Sequence, residues 1–355
     1  MSRIDLGTQQ MVFVLGVERS GSTWLANILE SSPQLLLYME PFTEVTDLFR
    51  GFPDRLSYME SAGPLVGDQI VETLAGLPRY KYYGLESRDA ASWRKRLNWR
   101  VQSVLRELYD RLGAGQNRSR MRHRELNLNR VDNPDVFAFA KSAHPTHVAI
   151  KELRLNLKVP VLAEVFPNWR TLVIIRNPIA QIDSILRQFE HGNLVYLRRF
   201  LDVLYEVLCQ QSRFAKYTEP IDHLPDDDLI ARAITYWFVH YSTLLEDLRE
   251  TDSNFRVVRH ETLCEQPMTE TESLFAFAGL DCTDQTRDYV RTSSQTSVQS
   301  AEPTETTRQS DQYYRRALAE VPDDTRERMR RYAEDFWSLA PEPVRVYRDW
   351  LGDHL

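Results

Sequence analysis

Five short apolar stretches frame this chain: Met11–Gly16, Gln34–Tyr38, His147–Leu153, Thr171–Arg176 and Phe255–Arg259. Each carries few charges until its C-terminal end, as expected of parallel strands covered on both faces. Helical patterns lie between them. Ser22–Ser31 is one, and Asn177-Pro178 opens another, with Asn as N-cap and Pro at the first helical position. Leu194–Lys216 and Asp226–Glu250 are long amphipathic stretches. Strand alternating with helix predicts an α/β fold around a parallel sheet with right-handed crossovers. No repeat or linker divides the 355 residues, so a single domain over 1–355 is expected.

Composition removes several classes. With 44 Lys+Arg against 51 Asp+Glu, the net charge is −7 and a general nucleic-acid coat is not expected. The apolar runs Met11–Val17 and Thr171–Ile175 fall far short of the roughly 20 residues of a membrane span. The opening Met-Ser-Arg-Ile-Asp-Leu precedes no apolar signal core. The three cysteines, Cys209, Cys264 and Cys282, have neither the number of a disulfide framework nor the spacing of a zinc site. They fit a reducing compartment, and a cytoplasmic location is expected. No metal is called for.

The charge is uneven. Arg88–Arg130 holds 12 basic against 4 acidic residues, a local excess of +8 that leaves −15 for the remainder. A helix over Ala90–Leu112 and a loop near Gly113–Asn117 are expected there. The segment reads either as a solvated basic helix or as a surface for an anionic substrate or lipid. Ser293–Ser310, rich in Ser, Thr and Gln, reads as a long loop of the kind that often covers a site.

Four motifs carry chemistry. Gly16-Val-Glu-Arg19-Ser20-Gly21-Ser22-Thr23-Trp24 follows a strand and opens a helix. Backbone N–H groups and the helix N-terminus suit that context to an anion. Its Gly-x4-Gly-x-Thr spacing matches the nucleoside-triphosphate loop, except that Ser22 stands where the phosphate-binding lysine belongs. Arg19 is the cation instead. The plainer alternative, a strand–turn–helix corner, leaves Arg19 unexplained. In the second motif Arg176 ends a strand and Ser184 lies eight residues on, in the following helix, where the pair suits a second phosphate. The alternative is a sheet-edge Arg and a solvent-facing Ser. The third motif, Tyr38-Met39-Glu40-Pro41-Phe42, puts Glu40 just past the second strand, within reach of a ligand on the first loop. In the fourth, Lys151 interrupts an apolar strand pattern and needs an anionic partner; it is one of 6 lysines against 38 arginines.

Together these motifs resemble the sulfotransferases that use 3′-phosphoadenosine 5′-phosphosulfate (PAPS). Arg19-Ser-Gly-Ser-Thr-Trp24 is similar to their 5′-phosphosulfate loop, and Arg176 with Ser184 to their 3′-phosphate pair. The resemblance implies a P-loop-like three-layer fold on a roughly five-stranded parallel sheet, with Thr43–Thr146 as a helical, basic insertion. It implies Trp24 against the adenine, although a core Trp beneath the loop is the alternative. Val257-Val-Arg-His-Glu261-Thr-Leu263, Thr292-Ser-Ser and Tyr314-Arg315-Arg316 resemble more weakly the later family stretches. One departure matters. Cytosolic members carry Lys-Thr-His-Leu-Pro with a catalytic His, whereas Lys151-Glu152-Leu153-Arg154 has Leu153 at the His position. Protein-tyrosine and many carbohydrate members instead resemble this chain in a Glu after the second strand. Glu40 is therefore the expected base, with His144 and His191 in reserve. Arg19, Lys151 and the N–H groups of Ser20–Thr23 are expected to stabilise the leaving bisphosphate.

The implied reaction moves the sulfuryl group of PAPS to a hydroxyl acceptor, possibly anionic, and leaves adenosine 3′,5′-bisphosphate. Two other readings stay open: an ATP-dependent phosphotransferase of the P-loop superfamily, and a non-catalytic nucleotide-binding module. The acceptor and the oligomeric state are not legible.

Overall fold

The computed structural model describes residues 9–40, 58–61, 139–166, 168–190, 211–225, 228–295, 315 and 318–348. Most of the expected insertion, the helix over 90–112, residues 194–210, His191 and residues 296–310 lie outside the described residues.

Five strands form one sheet: β1 (Gln10–Leu15), β2 (Leu35–Met39), β3 (His147–Lys151), β4 (Trp169–Ile175) and β5 (Asn254–Arg259). Their order is β2-β3-β1-β4-β5 and every pairing is parallel. The sheet is α/β and flanked by helices, as the alternation of strand and helix requires. The apolar stretches coincide with the strands to within a residue or two at most ends. β3 stops at Lys151 rather than Leu153, because the Glu152 carboxylate accepts the N–H groups of Leu153 and Arg154 at 2.9 and 3.2 Å and turns the chain.

Helices cover both faces. Alternate strand residues such as Val12, Val14, Leu37, Ala149 and Leu172 face a layer built from α1 (Ser22–Glu30), α7 (Pro267–Ala278) and α8 (Asp284–Gln295). The other set, including Phe13, Leu15, Tyr38, Ile150 and Val173, meets α5 (Leu229–Glu250) and α9 (Asp323–Trp337). The period-2 alternation of a strand and the burial of both faces make this a three-layer core. Asp228 caps α5 by accepting the Ile230 N–H at 2.9 Å. The buried face of α5 carries Trp237, Phe238 and Tyr241, each contributing about 1.5–3 kcal/mol through apolar burial. The remaining short helices are α2 (Val159–Val165), α4 (Thr218–Asp222), α6 (His260–Glu265) and α10 (Glu342–Arg345), and α3 (Pro178–Glu190) follows β4. Residues 293–295 belong to the end of α8 rather than to a loop.

The strand order positions the site. From β1 the chain moves toward β2 on one side; from β4 it moves toward β5 on the other. The connections leaving β1 and β4 therefore diverge at neighbouring C-terminal ends, the crevice where open α/β sheets receive ligands. Arg19 follows β1 and Arg176 follows β4.

Candidate active site

The loop between β1 and α1 is held from behind. Asn156 brackets Gly16, accepting its N–H at 3.3 Å and donating to its carbonyl at 2.9 Å. Tyr241 accepts the Val17 N–H at 3.2 Å and donates to the Ile174 carbonyl at 3.0 Å. Gln181 of α3 donates to the Glu18 carbonyl at 2.7 Å, and Arg176 Nη1 to the Arg19 carbonyl at 3.1 Å. The loop carbonyls of Gly16, Glu18 and Arg19 are thus claimed by side chains from outside the loop. The N–H groups of the first turn of α1 have no carbonyl within the helix to meet. That division presents donors, not acceptors, to an anion. The Ser20 N–H differs from the sequence expectation: it closes a turn onto the Val17 carbonyl at 3.1 Å.

Gly21 shows why the loop needs a glycine there. Its φ is +92°, and a Cβ would lie 2.5 Å from His260 Cδ2. The ring of His260 is buried, and burial followed by the charge of Arg176 holds it well below its ordinary pKa. It packs against the loop as a neutral group.

The second motif meets the first. Arg19 Nε donates to Ser184 Oγ at 3.0 Å. Asn177 Oδ1 accepts the Ile179 N–H at 2.9 Å and starts α3 immediately after Arg176. Arg176 is only 5% exposed, and its Nε is a buried donor with no partner among the described residues. Buried guanidinium donors are ordinarily satisfied. The two guanidiniums give this corner a positive charge and planar donors of the kind that suit anions.

The third and fourth motifs also join. Lys151 forms an ion pair with Glu40, and the Glu40 N–H donates to the Lys151 carbonyl at 2.6 Å. Lys151 is 1% exposed and Glu40 8%. Among the described residues only three that are not glycine have positive φ, and two are Arg19 (65°) and Glu40 (46°). Such backbone costs on the order of 1–3 kcal/mol and collects at functional sites.

Residues 9–332 match the family described as "Sulfotransferase domain". The chain belongs to that sulfotransferase family. As a family member it is a sulfotransferase, and its five-stranded parallel sheet is the family's P-loop-like frame. No curated protein matches the sequence. Solved structures do. Mouse sulfotransferase SULT7A1 complexed with PAP has TM-score 0.44 at 12% identity, covering 96% of this chain and 89% of that one. A sulfotransferase from Alicyclobacillus acidocaldarius has TM-score 0.40 at 12% identity, with 98% and 97% covered. The sulfotransferase domain of the Synechococcus PCC 7002 olefin synthase has TM-score 0.39 at 14% identity, with 100% and 99% covered.

Other sequence-named residues of this sulfotransferase fall as follows. Ser22 and Thr23 open α1. Trp24 is 7% exposed, belongs to the apolar layer behind the sheet, and donates Nε1–H to Ser293 Oγ at 3.1 Å. His144 is exposed and precedes β3, at the N-terminal end of the parallel strands, whereas Glu40 follows the C-terminal end of β2. The residues that hold the loop, Asn156, Gln181, Tyr241 and His260, escape sequence reading. They come from three helices and the turn after β3, and no spacing links them to the loop they support. Among the described residues no helix is long and apolar enough to cross a membrane.

Proposed function

We propose that this sulfotransferase transfers the sulfuryl group of PAPS to a hydroxyl of a carbohydrate, a lipid or a small-molecule alcohol or phenol, by in-line displacement. The observation that supports the donor most directly is the joined cluster of Arg19, Ser184 and Arg176, with the Arg176 Nε still unpartnered. Arg176 and Ser184 are assigned to the 3′-phosphate, which separates this donor from ATP. Arg19 and the N–H groups of Gly21–Thr23 are assigned to the 5′-phosphosulfate, and Trp24 to the adenine side.

In the transfer, the acceptor oxygen forms a bond to sulfur while the bond from sulfur to the 5′-phosphate oxygen breaks. Glu40 takes the hydroxyl proton, an aid of roughly 10²–10⁴-fold. Negative charge grows on the leaving phosphate oxygen, where Arg19 and Lys151 are fixed cations. The Lys151–Glu40 ion pair supports this reading, because it ties the base and a leaving-group cation into one unit at the ends of adjacent strands.

The test is release of adenosine 3′,5′-bisphosphate from PAPS across a panel of carbohydrate, lipid, phenol and alcohol acceptors, without added Mg²⁺. Acceptor-dependent release supports the reading. Thermal stabilisation by ATP·Mg²⁺ but not by the bisphosphate would favour a phosphotransferase. Bisphosphate binding with no turnover on any acceptor would favour a binding module.

A further inference from the structure

The loop after β1 contains a carboxylate that the transfer scheme leaves unused. Glu18 is 3% exposed and is held at both its side chain and its backbone. Tyr236 of α5 donates to its Oε2 at 2.7 Å. Gln181 of α3 donates to its carbonyl at 2.7 Å. Gln181 has a support of its own, because Trp237, the next residue of α5, donates Nε1–H to Gln181 Oε1 at 3.0 Å. That bond fixes which end of the amide faces the loop. Adjacent residues of α5 thus reach one loop residue by two routes: Tyr236 directly to the side chain, and Trp237 through Gln181 to the backbone. Tyr236, Trp237 and Gln181 are all buried. The rings of Tyr236 and His240, one turn apart on α5, have centroids 4.0 Å apart, so the phenol is confined.

These contacts act on the peptide that enters Arg19. The Arg19 φ of 65° is one that side chains rarely adopt, and such backbone persists only where its surroundings impose it. On the far side of Arg19, its own carbonyl accepts Arg176 Nη1 at 3.1 Å. With the Glu18 and Arg19 carbonyls both held, the two rigid peptide planes that meet at the Arg19 Cα are oriented, and φ and ψ follow from them. The Arg19 side chain then leaves the loop toward α3, where Nε donates to Ser184 Oγ at 3.0 Å. A residue relaxing to negative φ would re-aim its Cβ and lose that partner.

We propose that Glu18 is a positioning residue: held by Tyr236 at its carboxylate and by Gln181 at its carbonyl, it imposes the left-handed backbone that aims the Arg19 guanidinium at the donor. Tyr236 acts on donor binding through Arg19, without touching the donor. The inference rests on the donor reading above.

Two measurements on the full chain test it. The first needs no donor: hydrogen–deuterium exchange of the unliganded protein, resolved by peptide. Tyr236→Phe keeps the ring and removes the hydrogen that Glu18 accepts. It should raise exchange about tenfold in a peptide spanning residues 17–23 and leave peptides of β1 and β4 unchanged. Loop exchange that stays at the wild-type rate, or that rises equally across the sheet, overturns the proposal. The second is a calorimetric double-mutant cycle with adenosine 3′,5′-bisphosphate. Tyr236→Phe should weaken binding about tenfold in the wild-type background and less than about twofold in Arg19→Ala, where the group it aims is gone. Equal losses in both backgrounds, or no loss in either, overturn the proposal. If Tyr236→Phe does not fold, Glu18→Ala removes the other side of the same bond and carries both measurements with the same expectations. A wild type that does not bind the bisphosphate sinks the donor reading instead, and the exchange comparison then decides the role of Glu18 alone.

Discussion

Arg19 Nε donates to Ser184 Oγ at 3.0 Å across 165 residues of sequence. The contact joins the loop after β1 to the helix after β4, and the Arg176 guanidinium closes the junction from the other side through the Arg19 carbonyl. Two motifs far apart in the chain thus form one cationic surface.

That junction is expected to be cooperative. In a double-mutant cycle of Arg19→Ala and Ser184→Ala, read as bisphosphate affinity, the coupling energy should fall at about 0.5–3 kcal/mol. Strict additivity would mean that Ser184 binds ligand without orienting Arg19. Arg176→Ala should raise the Kd for the bisphosphate more than tenfold, about 1.4 kcal/mol, while the Kd for ADP changes far less. Equal losses for both ligands would remove Arg176 from the 3′-phosphate.

Glu40→Gln should lower kcat by about 10²–10⁴-fold with bisphosphate affinity retained. Normal turnover by that variant would exclude Glu40 as base. Lys151→Met leaves a buried carboxylate without its ammonium, at a cost of about 3–5 kcal/mol in urea unfolding. The Glu40→Gln/Lys151→Met double variant should be more stable than the Lys151 single, because it removes the stranded charge.

Gly21→Ala should destabilise the fold by about 2 kcal/mol or more and abolish bisphosphate binding. Left-handed backbone costs an alanine about 1–2 kcal/mol, and the new methyl meets the His260 ring. His260→Ala added to it should recover part of the stability, since space returns but φ does not. Failure of any recovery would place the cost wholly in the backbone.

Acid should weaken the fold through His260. Its folded pKa lies well below its ordinary value, so below about pH 6.5 the unfolded chain binds a proton that the native state refuses. Its stabilising contribution is present above that pH and falls by up to about 1.4 kcal/mol per pH unit below it. Asp247 acts in the opposite sense. Burial raises it to about 7, so the native state holds the extra proton and gains stability as pH falls through that value. The comparison that isolates His260 is wild type against His260→Gln in urea unfolding from about pH 7 to about pH 5. The wild type should lose more stability than the variant, and parallel losses would refute the assignment.

What could be read from the linear chain was local. Apolar runs with charged C-terminal ends mark β1 to β5, because strands buried on both faces tolerate charge only where they emerge. Asn177-Pro178 marks the start of α3, because capping depends on adjacent residues. Glu40, Lys151 and Arg176 stood out as polar residues at the end or in the interior of apolar strands, Arg19 as the cation of the glycine-spaced loop, and Ser184 by its spacing from Arg176. Only the tertiary structure decided which of them meet. The partner that Lys151 requires proves to be Glu40 because β2 and β3 are neighbours in parallel register, Met39 opposite Lys151. Arg19 reaches Ser184 because β1 lies beside β4. The supports of the loop, Asn156, Gln181, Tyr241 and His260, and the Tyr236–Glu18 contact were invisible for the same reason. A hydrogen bond depends on about 3 Å of space and on direction, and sequence separation carries neither.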